Sequence, residues 1–496
     1  MRVILDTNIF ISREDNKIVP ESVQKLLNIL NQHKIQILVH PSGKDDIERD
    51  KDSERKKIIQ SKISSYTFLD TPPDSTLDRE FQSKCGIPKN DNDKVDNELI
   101  YAVYKNAVDF LITEDKGIQQ KCRKLDISDR ILSIAEGIDF FQRQFAEKEI
   151  SIPRPLQQIP AFNVNINDPI FDSLKGDYPE FGQWWSKVCR EGRQVIVYKR
   201  DNQSLGALYL HKLEEEAVDS TPPLSKAKRL KICTLKVVDT GYKLGEFFLK
   251  KAFEFAIKNN IFEIYLTHVI IPNDPLVGLI EEFGFENIAS KGNEQIFLKK
   301  IVPVGKVIPN TIFLKNHFPC LRDGKDVRKF LVPIIPTFHN RLFPEFQKLR
   351  TSLFDGSELN PEGNTIKKAY LCNSNIKKIR KGDLLLFYLS REEQEITAIG
   401  TVESVFQNPM DANDIIRLVG KRTVYSIQEI NDIFIKEPSI VLLFLFHFFF
   451  PKPVSLKVLK SNGILNHAPQ SILELSQSQY EWIKSKGELD ERFTFN

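Results

Sequence analysis

A multidomain α/β chain is what this sequence predicts, and three observations carry that reading. Its 496 residues exceed what one hydrophobic core organises, so roughly two to four domains are expected. Proline clusters at SIPRPLQQIPAF (Pro153, Pro155, Pro160) and KKIVPVGKVIPN (Pro303, Pro309) interrupt the regular patterns. X-Pro pairs favour extended backbone, so both clusters read as packed connectors. The pattern also changes across each connector, from strand–helix alternation, to hairpins mixed with a strand–turn–helix unit, to a strand-rich tail. The expected segments are 1–148, an α/β/α parallel sheet; 160–302, of α+β type; and 305–496, a small β-barrel.

Bulk properties exclude several classes. Hydrophobic content of 41% with 28% charge is ordinary globular material, and a net charge of +3 permits a nucleic-acid partner without demanding one. Six separated cysteines with no CxxC pair fit reduced thiols better than a disulfide scaffold or zinc site. The opening apolar run breaks at Asp6, so no signal peptide is expected. IVLLFLFHFFF (440–450) is shorter than the ~20 residues that span a bilayer, and with Pro451 behind it reads as a buried strand. A cytoplasmic protein with no membrane partner is the expectation.

Elements of the first segment follow in order. RVIL, IQILVH and DFLITED read as strands; VQKLLNIL, a charged stretch after IQILVH, ELIYAVYKNA and the end of RILSIAEGIDFF read as helices. Open α/β sheets carry their chemistry at the carboxyl ends of the strands. Asp6 follows RVIL there, and Asp115 follows the late strand. On neighbouring strands, ~4.8 Å apart, their carboxylates converge. NDNDKVDNELIYAVY adds Asp93 and Asp96, three apart on one face of a helix start. HPSGKDDIERD offers a fourth acid, Asp46 in preference to Asp45 and Glu48. Each acid has a plainer job available: Asp93 as a helix cap, Asp6 in an Asx turn. Together they would repel one another unless a hard cation such as Mg²⁺ or Mn²⁺ sat among them, which makes the segment a nuclease candidate.

VILDTN, DDIERD, DNELIYAVY and LITED together resemble a PIN domain. The resemblance implies a metal-dependent ribonuclease fold with Asp6, Asp46, Asp96 and Asp115 as catalytic metal ligands. Asp93 is a further candidate ligand, and Asn8 and Thr113 would orient ligand carboxylates by hydrogen bonding.

In the middle segment, ICTLKVVDTGYKLGEFFLKKAFEFA joins a strand to a helix through a loop holding Gly241 and Gly245. Such a loop presents backbone N–H groups to a pyrophosphate, although tight-turn geometry alone also explains the glycines. With IFEIYLTHVIIPNDPLVGLIEEFGFE behind it, the stretch resembles a GNAT acetyltransferase. That implies acetyl-CoA held by Gly241, Leu244, Gly245, Glu246 and Phe247. Two departures stand out: Thr240 and Lys243 replace the usual loop residues, and Ile280 stands where many relatives place a tyrosine acid. Acetyl transfer would then need His268 as proton donor, or direct transfer to a solvated amine, and a fold kept only for acetyl-CoA sensing or docking is the plainer alternative.

In the third segment, IKKAYLCNSNIKKIRKGDLLLFYLS followed by ITAIGTVESVF resembles the ASCH, EVE and PUA-like superfamily. Lys377, Lys378, Arg380 and Lys381 are the candidate phosphate contacts, against a solvated charged loop. Tyr370, Phe387 and Tyr388 offer stacking faces unless they are core. Looser insertions are expected at 214–229 and 354–364.

The function expected is a metal-dependent endoribonuclease, toxin-like or phage-defence in character, acting on tRNA and controlled by an inhibitor or antitoxin protein. An acyl-CoA-dependent acetyltransferase with an RNA-binding PIN-like domain is the first alternative, and a non-catalytic sensing scaffold the second.

Overall fold

Val3, Ile4 and Leu5 are an unbroken apolar run, the mark of a strand covered on both faces. In the computed structural model they lie in β1 (Arg2–Leu5), 0–1% exposed, at the centre of a parallel sheet. The described residues are 1–9, 20–44, 67–145, 156–200, 202–238, 243–272, 274–303, 310–346, 358–359, 365–436 and 438–496. They fall into two units: Met1–Ile150 with Pro409–Phe434, and Ser151–Asp239 with Lys243–Asn408 and Ile435–Asn496.

In the first unit β1 is followed by α1 (Glu21–Gln32), β2 (Gln36–Val39), β3 (Thr67–Phe68), α2 (Arg79–Cys85) and α3 (Asp91–Tyr104). Then come β4 (Phe110–Ile112), α4 (Lys116–Lys124), β5 (Ile131–Leu132) and α5 (Ile134–Phe145). The sheet order is β3-β2-β1-β4-β5, with every pair parallel. β1 and β4 are neighbours in the register Val3↔Phe110 and Leu5↔Ile112, so the residues that follow each strand meet at one edge. Leu99, Ile100 and Val103 of α3, with Phe81 and Ile118, pack on one face of the sheet with Ile4 and Leu111. On α5, a Cβ at Gly137 would stand 3.1 Å from Leu26 Cδ1 of α1 and 3.5 Å from Ile112 Cδ1. That close approach accounts for the glycine in mid-helix.

Pro409–Phe434, far along the chain, completes this unit. Its helix Ala412–Val419 sends Arg417 to Asp109 at 3.0 Å. In the turn that follows, Lys421 meets Glu136 at 2.8 Å and Arg422 meets Asp129 at 2.6 Å. The charged helix expected after β2 lies outside the described residues.

The second unit opens with β6 (Leu156–Pro160), α6 (Phe181–Arg190), β7 (Gln194–Lys199), β8 (Leu205–Glu214), β9 (Arg229–Val237) and α7 (Leu244–Lys258). β10 (Glu263–His268), α8 (Pro275–Glu282), β11 (Glu286–Lys291) and β12 (Glu294–Lys300) follow. The expected hairpin is β7–β8, and the whole sheet is mixed, in the order β11-β12-β10-β9-β8-β7-β6 with a short strand, Glu358–Leu359, beyond β6. β9 and β10 are parallel but pair only at Ile264↔Leu230 and Tyr265↔Lys231. The 214–229 connection, expected to be loose, is tied down by reciprocal backbone bonds between Val218 and Leu224 and between Thr221 and Ser290, at 2.8–3.1 Å. Of the 354–364 insertion, only that short strand is described.

A second mixed sheet contains Lys329–Ile334, Lys367–Asn373, Leu384–Leu389, Glu395–Gln407, Ser439–Ser455 and Leu473–Leu475. The strand expected to close at Pro451 instead runs on to Ser455. Its pairing with Lys367–Asn373 stops at Leu445, leaving that side an edge, and its pairing with Glu395–Gln407 skips from Phe449 to Val454. Pro451 and Pro453 therefore sit where no ladder donor is required.

Candidate functional site

At the shared edge of β1 and β4 the backbone already aims side chains together. Asp6 N donates to Ile112 O at 3.0 Å, and Thr113 N donates to Leu132 O at 2.9 Å, extending the ladder one residue past each strand. Asp6 is 4% exposed and Thr113 fully buried. Thr113 Oγ1 donates to Asp6 Oδ2 at 2.5 Å and accepts from Asp115 N at 2.9 Å, so one hydroxyl fixes both strand-end acids. Asn8 donates to Asp6 Oδ1 through its backbone N–H at 3.3 Å.

Asp115 is also the N-cap of α4, its Oδ1 accepting from Ile118 N at 2.9 Å. Capping and site membership are therefore compatible. Asp93 is not the cap of α3: Asn90 fills that place, accepting from Asp93 N at 2.8 Å. Asp93 instead accepts from Lys89 N at 2.8 Å and from the Lys121 ammonium. Lys121 in turn donates to Asn97 Oδ1 at 2.7 Å.

Asp96 reports what the arrangement does electrostatically. Its carboxyl is pushed up to about 7, first by burial, then by the negative charge of Asp115, and further by Asp6 and Asp93; Lys121 pulls the other way. Asp6, Asp93 and Asp115 are thus each within electrostatic reach of Asp96. The fifth predicted acid, Asp46, lies outside the described residues. Among the described residues, no group of three or more His, Cys, Asp and Glu side chains is gathered so as to hold a metal ion by itself. The donor chemistry nonetheless suits a hard divalent cation, because all donors are carboxylate oxygens and their mutual repulsion is what such a charge relieves. Lys121 and Asn97 were missed in the sequence: KGIQQKCRK carries four cations, and no spacing singles out one of them.

In the second unit, Gly241 lies outside the described residues. Lys243, the N-cap of α7, adopts a left-handed φ of 50°. Leu244 and Phe247 are core side chains at 1% and 0% exposure, and Glu246 Oε1 accepts from Lys367 N at 2.7 Å. A Cβ at Gly245 would come within 2.7 Å of Leu279 Cδ2, the end of a half-buried side chain that would have to shift. What the first turn of α7 retains for a ligand is its backbone N–H groups. Ile280 is fully buried and offers no proton. His268 Nε2 meets Asp274 Oδ2 at 2.7 Å, and Asp274 also caps α8.

Lys377, Lys378, Arg380 and Lys381 are all exposed on the loop before Leu384–Leu389. Asp383 shapes that loop, its Oδ2 accepting from Arg380 N at 2.7 Å, and Lys378 reaches Glu474 at 3.0 Å. Tyr370, Phe387 and Tyr388 are 0–5% exposed, so they serve the core rather than stacking on a base.

Comparison with known proteins matches the two ends of the chain. Residues 2–117 match the PIN domain family model, and residues 366–486 match the EVE domain family model. No curated protein matches the chain. Among solved structures, an ASCH protein from Zymomonas mobilis is 19% identical over 32% of this chain and 94% of its own, with a TM-score of 0.23. A GNAT-family acetyltransferase from Listeria monocytogenes is 16% identical over 29% of this chain and 94% of its own, with a TM-score of 0.22. An N-acetyltransferase from Thermoplasma acidophilum, solved in complex with coenzyme A, is 16% identical over 26% of this chain and 79% of its own, with a TM-score of 0.20. Among the described residues, no helix is long and apolar enough to cross a membrane.

Proposed function

We propose that the chain is a metal-dependent endoribonuclease, with Asp6, Asp96 and Asp115 as its ligand carboxylates and Asp46 as the fourth. The observation that carries this reading is the raised carboxyl of Asp96 among like charges, inside the stretch that matches the PIN domain. Burying acids against one another is unfavourable unless a cation is their partner in function. A bound Mg²⁺ or Mn²⁺ would supply an activated water and charge neutralisation for an in-line phosphoryl displacement. The chain's own residues hold the frame: Thr113 fixes the orientation of Asp6 and the backbone of Asp115, and the sheet beneath keeps both acids still. Lys377, Lys378, Arg380 and Lys381, on the stretch that matches the EVE domain, contribute phosphate contacts to a bound RNA. A tRNA substrate, a growth-arresting or phage-defence role and a protein inhibitor belong to the same reading.

The test is incubation of total RNA with Mg²⁺ or Mn²⁺ and mapping of the new ends. Wild type should produce ends that vanish with EDTA and with Asp6→Asn. Equal cleavage by Asp6→Asn would overturn the assignment. Acetyl-CoA at the first turn of α7 is the second reading, favoured by the left-handed Lys243 that opens that turn. It would be checked by calorimetric titration of the full chain with coenzyme A, where absence of heat rules it out.

A further inference from the structure

Lys121 stands apart from the other cations of α4. Its ammonium is clamped between Asp93 Oδ1 and Asn97 Oδ1, the latter at 2.7 Å. Asn97 is 2% exposed and cannot move with it, because its Nδ2 donates to Gly86 O at 3.1 Å and its Oδ1 also accepts from Cys85 Sγ at 3.3 Å. Asp93 is fixed in the same way by Lys89 N at 2.8 Å. Neither end of the pair is a loose surface side chain: Lys121 is 18% and Asp93 22% exposed. A lysine held only for helix solubility would not be seated on a buried, neutral amide whose own position is pinned twice.

Resting on the metal-dependent reading above, we propose that Lys121 is a positioning residue, the built-in cation of the acid cluster. Its ammonium holds Asp93 away from the metal's ligand set and opposes entry of a divalent ion, so it sets the metal concentration at which the site loads. Two effects act in one direction. The positive charge lies within electrostatic reach of Asp96 and repels a second cation there. The pair with Asp93 also removes a carboxylate that the cluster would otherwise contribute, and hard cations bind more tightly as carboxylates are added. In exchange, Lys121 relieves part of the repulsion among the acids, so the metal-free site stays folded.

This reading makes an unusual prediction of sign, because removing an ion pair normally weakens a site. Free Mn²⁺ would be followed by electron paramagnetic resonance while the full chain is titrated, for wild type, Lys121→Met, Asp93→Asn and the double variant. Lys121→Met should tighten Mn²⁺ binding by about tenfold, roughly the value of one ordinary ion-pair change. Adding Asp93→Asn should remove most of that gain, while Asp93→Asn alone should change little. Lys121→Gln keeps a donor for Asn97 without the charge and should tighten binding as well; it carries the test if far-UV circular dichroism shows Lys121→Met misfolded. A purely structural Lys121 would leave affinity unchanged or weaken it, and either result overturns the proposal. Asp6→Asn separates the two levels: with no Asp6-dependent Mn²⁺ site the metal reading and this proposal fall together, whereas an Asp6-dependent site indifferent to Lys121 overturns this proposal alone.

Discussion

In the first unit Asp6, Asp93 and Asp115 all lie within electrostatic reach of Asp96, with Lys121 as an opposing cation, whereas in the second unit Lys250 and Lys251 share Glu345 and Glu254. The electrostatic consequences run in opposite directions. For Asp96, burial and three like charges add up, and the carboxyl rises to about 7. For Glu345, burial would also raise it, but the pull of Lys250 and then Lys251 overrides that and holds the carboxyl far below the usual carboxylate range. A buried charge that is fully paired needs nothing further, and it reads as part of the framework. Acids that raise a neighbour's carboxyl, as Asp115, Asp6 and Asp93 do at Asp96, mark a place where a bound cation would be stabilised.

The largest expected effect strikes the paired cluster. Glu345→Ala removes the nearer of the two carboxylates that Lys250 and Lys251 share and leaves them Glu254, so the loss should reach at most about 3–5 kcal/mol, to be measured as a fall in urea midpoint for the second unit. An unchanged midpoint would mean that the pair is not a stabilising one. Next comes Thr113→Val, which keeps the shape but removes the donor to Asp6 Oδ2 and the acceptor for Asp115 N. Loss of such an outer partner should lower metal affinity or cleavage by about 10–100-fold with little loss of stability.

The pH dependences should also oppose one another. Glu345 is depressed, so its contribution to stability is present above the unfolded carboxyl value, about 4.3, and is lost as pH falls below it. Asp96 is raised, so in EDTA the folded first unit keeps a proton between about pH 4 and 7 that the unfolded chain releases. Its stability should therefore fall as pH climbs through that window, and Asp96→Asn should flatten the fall in a melting-temperature series. The smallest effect is Lys378→Ala, whose exposed pair with Glu474 is worth at most about 1 kcal/mol. Its signature would lie in RNA binding, as a salt slope lower by about one.

Much of the first site was legible because its residues abut recognisable strands. RVIL and DFLI are runs of buried strand character, so the acids just beyond them could be placed at one sheet edge from sequence alone. Thr113 as a donor to an acid comes only from the resemblance to a PIN domain, and its Oγ1 does donate to Asp6. Lys121 was not legible: it meets Asp93 across 28 positions, and only the packing of α4 against α3 selects it from its neighbours. The same holds for Arg417, Lys421 and Arg422, which reach Asp109, Glu136 and Asp129 from some three hundred residues away. Nothing local in ANDIIRLVGKR announces that destination. In the second unit, Gly245 reads as a phosphate-loop glycine, and the structure sets it beside Leu279, a contact no local pattern contains.

The central claim is that Asp6, Asp96 and Asp115 of the first unit hold a metal. Crystals of the full chain soaked in Mn²⁺ and measured at the manganese absorption edge would test it most directly. An anomalous peak bounded by Asp6, Asp96 and Asp115, absent from Asp6→Asn crystals, is the expected result. A peak elsewhere, or one that survives Asp6→Asn, would contradict the account.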